Sequence, residues 1–259
     1  MRTAAPAPER VLDFGTIVVV GGGCYGSQYV RQLRRARAAG QLRWQRVVVV
    51  DHRADCAFAL ACRAHPTGDV DLGGQADHWD RIDLVVEDWT AFFAHWLGAA
   101  LRAREAHARD AVVPSPLMPH LLFEWLVTAA RVAVPTKRLQ LEAPGEIAGI
   151  PWQQAGADGT RYASYATWIC PINCIEPAKC PHTKGPRDWS MHEALPAAGP
   201  AAATALLRVT HRTFGVGMID VADVLAAHAV VTSAAATGSP LWVATASHCH
   251  AAVGGIIPA

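Results

Sequence analysis

The sequence predicts an α/β fold built on a doubly wound parallel sheet, with a loop-rich lobe that carries cysteines. Three observations lead there. Short β-branched runs alternate with helical spacing over the first half of the chain. A glycine turn stands between the first such run and the first helical stretch. From about residue 144 to about residue 186 the pattern changes to Gly, Pro, Tyr, Trp and Cys without helical period. Four strand–helix units in succession favour parallel strands, because each crossover helix returns the chain to the same edge.

The elements follow in order. After a Pro- and Ala-rich tail over residues 1–14, residues 16–20 form a β-branched run that ends at Gly21, and helical spacing continues through Tyr29, Val30 and Leu33. A second buried run, 47–50, ends at Asp51, and a third, 82–86, leads into a helix through Phe92, Phe93, Trp96 and Leu97. A fourth, 111–113, stops at Pro114-Ser115-Pro116, and residues 118–130 regain helical spacing through Leu121, Leu122, Trp125 and Leu126. These units make residues 15–143 the first domain. Residues 144–259 form the cysteine-rich lobe and C-terminal strands that complete or extend the sheet. Within them 194–203 reads equally as a linker or a helix start, 206–211 as a strand, 219–227 as a helix and 241–246 as a strand.

Composition narrows the function classes. The chain has 259 residues, 51% hydrophobic and 17% charged, too apolar for disorder and long enough for a sizeable core. Lys and Arg number 23 against 22 Asp and Glu, a net charge of +1, so no global field recruits nucleic acid or an anionic membrane. Every long apolar stretch is interrupted before the roughly 20 residues that a bilayer crossing needs. The opening MRTAAPAPERVLDFG places proline and charge where a signal peptide has its apolar segment, so a reducing, cytoplasmic compartment is expected. The seven cysteines then read as thiols or metal ligands.

Gly21, Gly23 and Gly26 satisfy G-x-G-x-x-G, with Cys24 and Tyr25 between the last two. In such a turn the first glycine allows the tight bend, the second lets a pyrophosphate approach the backbone, and the third lets helix pack on strand. The helix N-terminus holds the phosphate charge. Asp51, at the end of the next run, is placed to accept hydrogen bonds from ribose hydroxyls. Through VVVGGGCYG and VVVVD the chain resembles the Rossmann dinucleotide-binding superfamily over about residues 15–135. The resemblance implies a nucleotide cofactor, not a particular reaction. Asp51 lies 25 residues beyond Gly26, whereas the fingerprint places its acid about 20 residues on. S-adenosylmethionine-dependent methyltransferases share a similar turn and acid. Asp51 favours NAD, while Arg53 could hold the 2′-phosphate of NADP.

The strongest local signal is the run from Trp168 to His182, where Cys170, Cys174 and Cys180 are spaced C-x3-C-x5-C and two of them precede proline. Irregular, proline-rich backbone can wrap a metal so that thiolates converge. The spacing lacks the C-x2-C pairs of common structural zinc sites, and Cys-Pro recurs beside iron–sulfur clusters. Cys249, after the last strand, is the expected fourth ligand, brought to the glycine-turn edge if its strand runs parallel to the first. His182, His248 and His250 are nitrogen alternatives. Cys24, Cys56 and Cys62 read as core residues. Glu176 and Arg187 pair with each other or brace the loop, and Trp152, Trp168 and Trp189 line the lobe.

His120 and Glu124, four residues apart on a helix, are candidates for proton handling. His211 and Arg212 are candidates for holding an anionic substrate group. The expected protein is an NAD- or NADP-binding oxidoreductase with an iron–sulfur or zinc site at the nucleotide crevice, acting on a small molecule. Its alternatives are a non-catalytic redox or metal sensor and an S-adenosylmethionine-dependent methyltransferase. A homodimer is an open option.

Overall fold

Ile17, Val18, Val19 and Val20 are all buried, and a strand sends successive side chains to opposite faces. A run apolar at every position therefore belongs to a strand covered on both sides. That is where it lies in the computed structural model, which describes residues 11–64, 82–136, 138–171, 174–200 and 203–258.

The first half alternates β1 (Leu12–Val20), α1 (Cys24–Ala38), β2 (Leu42–Asp51), α2 (Ala57–Ala64), β3 (Ile82–Val86), α3 (Trp89–Arg102), β4 (Ala111–Val113) and α4 (Leu121–Ala133). The second half adds β5 (Leu139–Glu142), β6 (Trp152–Ala155), β7 (Thr160–Ser164), α5 (Met191–Ala198), β8 (Thr204–Arg208), β9 (Thr210–Thr213), β10 (Val216–Asp220), α6 (Val221–Thr237), β11 (Leu241–Ala246) and β12 (His250–Pro258). The described residues make a mixed α/β structure with two mixed sheets and six α-helices.

The first sheet has the order β3-β2-β1-β4-β10-β9. Its first four strands are mutually parallel, and β10 joins antiparallel to both β4 and β9. The second has the order β6-β7-β12-β11-β8, with β5 also pairing β12. There β8 runs parallel to β11, and the other pairings are antiparallel.

Packing produces successive layers. Ile17, Val19, Val47 and Val49 turn to one face of the first sheet and meet Val30 and Leu33 of α1 and Phe58 of α2. Val18, Val20, Val48 and Val50 turn to the other, against α3, α4 and α6. The same core continues through Leu207 of β8, Val243 of β11 and Ile256 of β12. On the far side of the second sheet Ala244, Ala246 and Val253 pack on Met191 and Leu195 of α5.

Four expectations change. The C-terminal strands do not complete one parallel sheet: β9 and β10 extend the first antiparallel, and β8, β11 and β12 build the second. The run at 206–211 breaks at Val209, whose N–H bonds Ala246 O at 2.7 Å, where the chain passes from the second sheet to the first. Ile219 and Asp220 belong to β10, and helix begins only at Val221. Of the 194–203 stretch, Ala194–Ala198 is helical and ends at Gly199, while residues 201 and 202 lie outside the described residues.

Candidate functional site

The glycine turn joins β1 to α1. Gly21 has φ +83°, a left-handed conformation that glycine adopts without steric cost. A Cβ at Gly26 would run into the Gly21 carbonyl, whereas one at Gly23 would meet nothing within 4 Å. Gly26 is therefore demanded by helix–strand contact, and Gly23 faces open space. Gly23 also caps α1 with no side-chain hydrogen bond, which leaves helix N–H groups turned toward that space. Asp51 is buried, and its two oxygens accept the Gly22 N–H at 2.7 Å and the Arg53 N–H at 2.9 Å. Gly21, Gly23, Cys24, Tyr25, Gly26, Asp51 and Arg53 all line one crevice of about 480 Å³, joined by Trp89 and Ser115. The Arg53 guanidinium is engaged by Asp55 through contacts of 3.0 and 2.9 Å.

Cys170, Cys174, Cys180 and Cys249 line a second, smaller cavity of about 140 Å³ together with Glu176, His182, His211 and His250. Cys249 does not arrive as expected, since β11 lies in the second sheet rather than beside β1. It sits instead in the turn between the antiparallel pair β11 and β12. Glu176 holds that turn. Its Oε1 accepts the Ser247 hydroxyl at 2.8 Å and the Cys249 N–H at 3.2 Å, and its Oε2 accepts the His248 N–H at 3.1 Å. His211 Nδ1 lies 3.1 Å from Oε2. Burial alone would push this carboxyl up, but His211, Ser247 and the His248 N–H outweigh it and hold its pKa at about 2. Glu176 also has φ +49°, a costly backbone for a non-glycine residue. Its role was only partly legible: it braces the loop, but not through Arg187, whose guanidinium bonds Pro177 O.

The sulfurs have hydrogen-bond donors. Glu176 N–H reaches Cys174 Sγ at 3.4 Å, and the Trp189 indole reaches Cys249 Sγ at 3.3 Å. The Thr183 and His182 N–H groups lower the Cys180 thiol. Burial pushes Cys249 up to about 11 and also raises Cys170, with Cys174 and Cys180 adding to the latter. Donors of this kind orient and stabilise metal-bound thiolates. Among the described residues no group of three or more His, Cys, Asp or Glu side chains has its donor atoms at metal-holding distances.

A third cavity, of about 400 Å³, lies between the other two. It shares Ser115 with the crevice and His211 and His250 with the cysteine cavity. Among the described residues the crevice and the cysteine cavity share no lining residue.

A family model described as "Uncharacterized protein, C-terminal domain", AF_1314_C, matches residues 122–257. The chain belongs to the AF_1314_C family. No curated protein and no solved structure matches it. In this AF_1314_C chain the matched span runs from within α4 to within β12, so it contains all four cavity cysteines, Glu176 and His211. The glycine turn precedes it.

The remaining candidates of the AF_1314_C chain separate. His120 and Glu124 line a fourth cavity of about 410 Å³, but no hydrogen bond joins them among the described residues. His120 is instead buried and stacked on Phe123, with ring centroids 4.5 Å apart, and burial lowers its pKa to about 3. His211 and Arg212 were expected to act together. As neighbours on β9 they point to opposite sides, and Arg212 turns to Asp220 and the Phe14 ring.

Proposed function

We propose that the protein binds a nicotinamide dinucleotide in the glycine-turn crevice and is an oxidoreductase, with a cysteine-ligated iron–sulfur or zinc site in the cavity of Cys170, Cys174, Cys180 and Cys249. One observation carries the reading: the crevice opens beyond the carboxyl ends of β1, β2 and β4 and takes in the glycine turn, Asp51 and Ser115 together. The strand order β3-β2-β1-β4 reverses direction between β1 and β4, and ligands of doubly wound sheets occupy the crevice at such a switch point. Gly23, whose missing side chain leaves space, supports approach of a pyrophosphate to the backbone. The engagement of Arg53 with Asp55 favours NAD over NADP.

The thiols suit the metal role by chemistry, since three of them have N–H donors in place. Bound there, zinc would supply a Lewis acid and an iron–sulfur cluster single-electron exchange. The chain's own contribution is to gather the ligands: Glu176 ties the 247–249 turn to the cysteine loop and fixes the His211 ring.

A second reading, a non-catalytic sensor, is favoured because no lining residue is common to crevice and cysteine cavity among the described residues. Calorimetric titration with NAD, NADP and S-adenosylmethionine, on protein purified without oxygen and assayed for iron, zinc and sulfide, tests the nucleotide and metal readings, and hydride turnover separates the oxidoreductase from the sensor. The proposal expects NAD to bind most tightly. Tighter binding of S-adenosylmethionine would replace it with a methyltransferase.

A further inference from the structure

The cavity between crevice and cysteines has a distinctive lining. Tyr29, Trp152, Tyr162 and several prolines and alanines supply most of it, and no Asp, Glu, Lys or Arg is among the described residues that line it. A charged group placed there would lose water and gain no countercharge. Two of its polar side chains, His211 and His250, also border the cysteine cavity.

The two imidazoles are held differently. His211 Nδ1 lies 3.1 Å from Glu176 Oε2 as a close ion-pair contact without hydrogen-bond geometry. His250 Nδ1 lies 3.0 Å from Ser164 Oγ. That hydroxyl gives its only hydrogen to Ala166 O at 2.8 Å and accepts the Ala166 N–H at 2.9 Å, so His250 Nδ1 must donate to it. With Nδ1 as the donor, the neutral His250 ring keeps Nε2 as an acceptor.

We propose that this cavity is the substrate site, and that it takes an uncharged, largely apolar molecule whose hydroxyl donates to Nε2 of His250. The assignment as substrate site rests on the reading of the crevice as the nucleotide site. The preference for a neutral hydroxyl compound rests on the lining alone.

Three probes of one shape test it: 2-naphthylmethanol, 2-methylnaphthalene and 2-naphthoate, titrated calorimetrically into the purified full chain. The alcohol should bind about fivefold more tightly than the hydrocarbon, the worth of one net hydrogen bond. The carboxylate should bind at least about tenfold more weakly than the alcohol, because nothing offsets its desolvation. In a His250→Phe variant the alcohol and the hydrocarbon should become equal. The wild-type comparison stands if that variant does not fold. Equal or tighter binding of 2-naphthoate would overturn the proposal, as would an alcohol preference that survives loss of the His250 imidazole. NAD is titrated in parallel: its failure to bind removes the nucleotide reading, while a failure of the probe order with NAD still bound removes only this one.

Discussion

Gly23 and Gly26 stand three residues apart and answer different physical needs. Gly26→Ala drives a Cβ into the Gly21 carbonyl, so it should cost about 1–3 kcal/mol of stability through overpacking, read as a lower urea midpoint. A Cβ at Gly23 meets nothing within 4 Å, so in Gly23→Val stability should hold while the proposed NAD binding disappears. Unchanged affinity in calorimetry would mean that nothing approaches this turn. His120 gives a pH dependence with a defined sign. Its pKa is lowered from 6.5 to about 3 by burial, with Asp158 working the other way. Below pH 6.5 the unfolded chain takes up a proton that the folded one refuses, so stability falls as pH drops toward 3, by up to about 1.4 kcal/mol per pH unit. His120→Phe keeps the stack on Phe123 and should flatten the fall in Tm between pH 6.5 and 4.5. A slope equal to that of wild type would assign the acid sensitivity elsewhere.

At the scale of elements, the 247–249 turn and the cysteine loop act as one unit because a single carboxylate joins them. Glu176→Gln puts an amide NH2 against two donors and should destabilise by about 3 kcal/mol, with an unchanged denaturant slope. If the four thiols hold a metal, Ser at Cys170, Cys174, Cys180 or Cys249 should each lower bound metal sharply, and Ser at Cys56 or Cys62 should not. Wild-type protein purified without oxygen or chelator that holds no metal, with all seven thiols titratable, would sink the metal site.

At the scale of the whole molecule, α4 and α6 pack in one core with Val18 and Val48 of the first sheet and with Leu207 and Val243 of the second. That shared core buries one face of each sheet against the same helices. Far-ultraviolet dichroism and tryptophan fluorescence should therefore report one coincident unfolding transition. Two separated transitions would show the halves to be independent. Excess NAD should raise that single transition, by about 2.7 kcal/mol of stability at a hundred times its Kd. Among the described residues no helix is long and apolar enough to cross a membrane.

What the sequence determined alone is what local pattern can encode. Apolar runs, buried in β1, β2 and β4 and half-buried in β3, and helices of clear period yielded β1 to β4 with α1, α3 and α4. The G-x-G-x-x-G spacing singled out a turn whose residues do share a crevice, and the cysteine spacing singled out a loop whose thiols do share a cavity. The tertiary structure decided the rest. β12 is rich in Ala and Gly and has no polar alternation, because both of its faces are buried, Ile256 in one core and Ala251 and Val253 in the other, so it carries no strand signal of its own. The crossing at Val209 is set by a hydrogen bond to Ala246, nearly forty residues away along the sequence. Cys249 was expected at the glycine-turn edge by parallel pairing, yet it meets the trio through a hairpin turn clamped by Glu176. Local periodicity records which residues are buried, but not which sheet buries them, since strand pairing depends on contacts between residues distant in sequence.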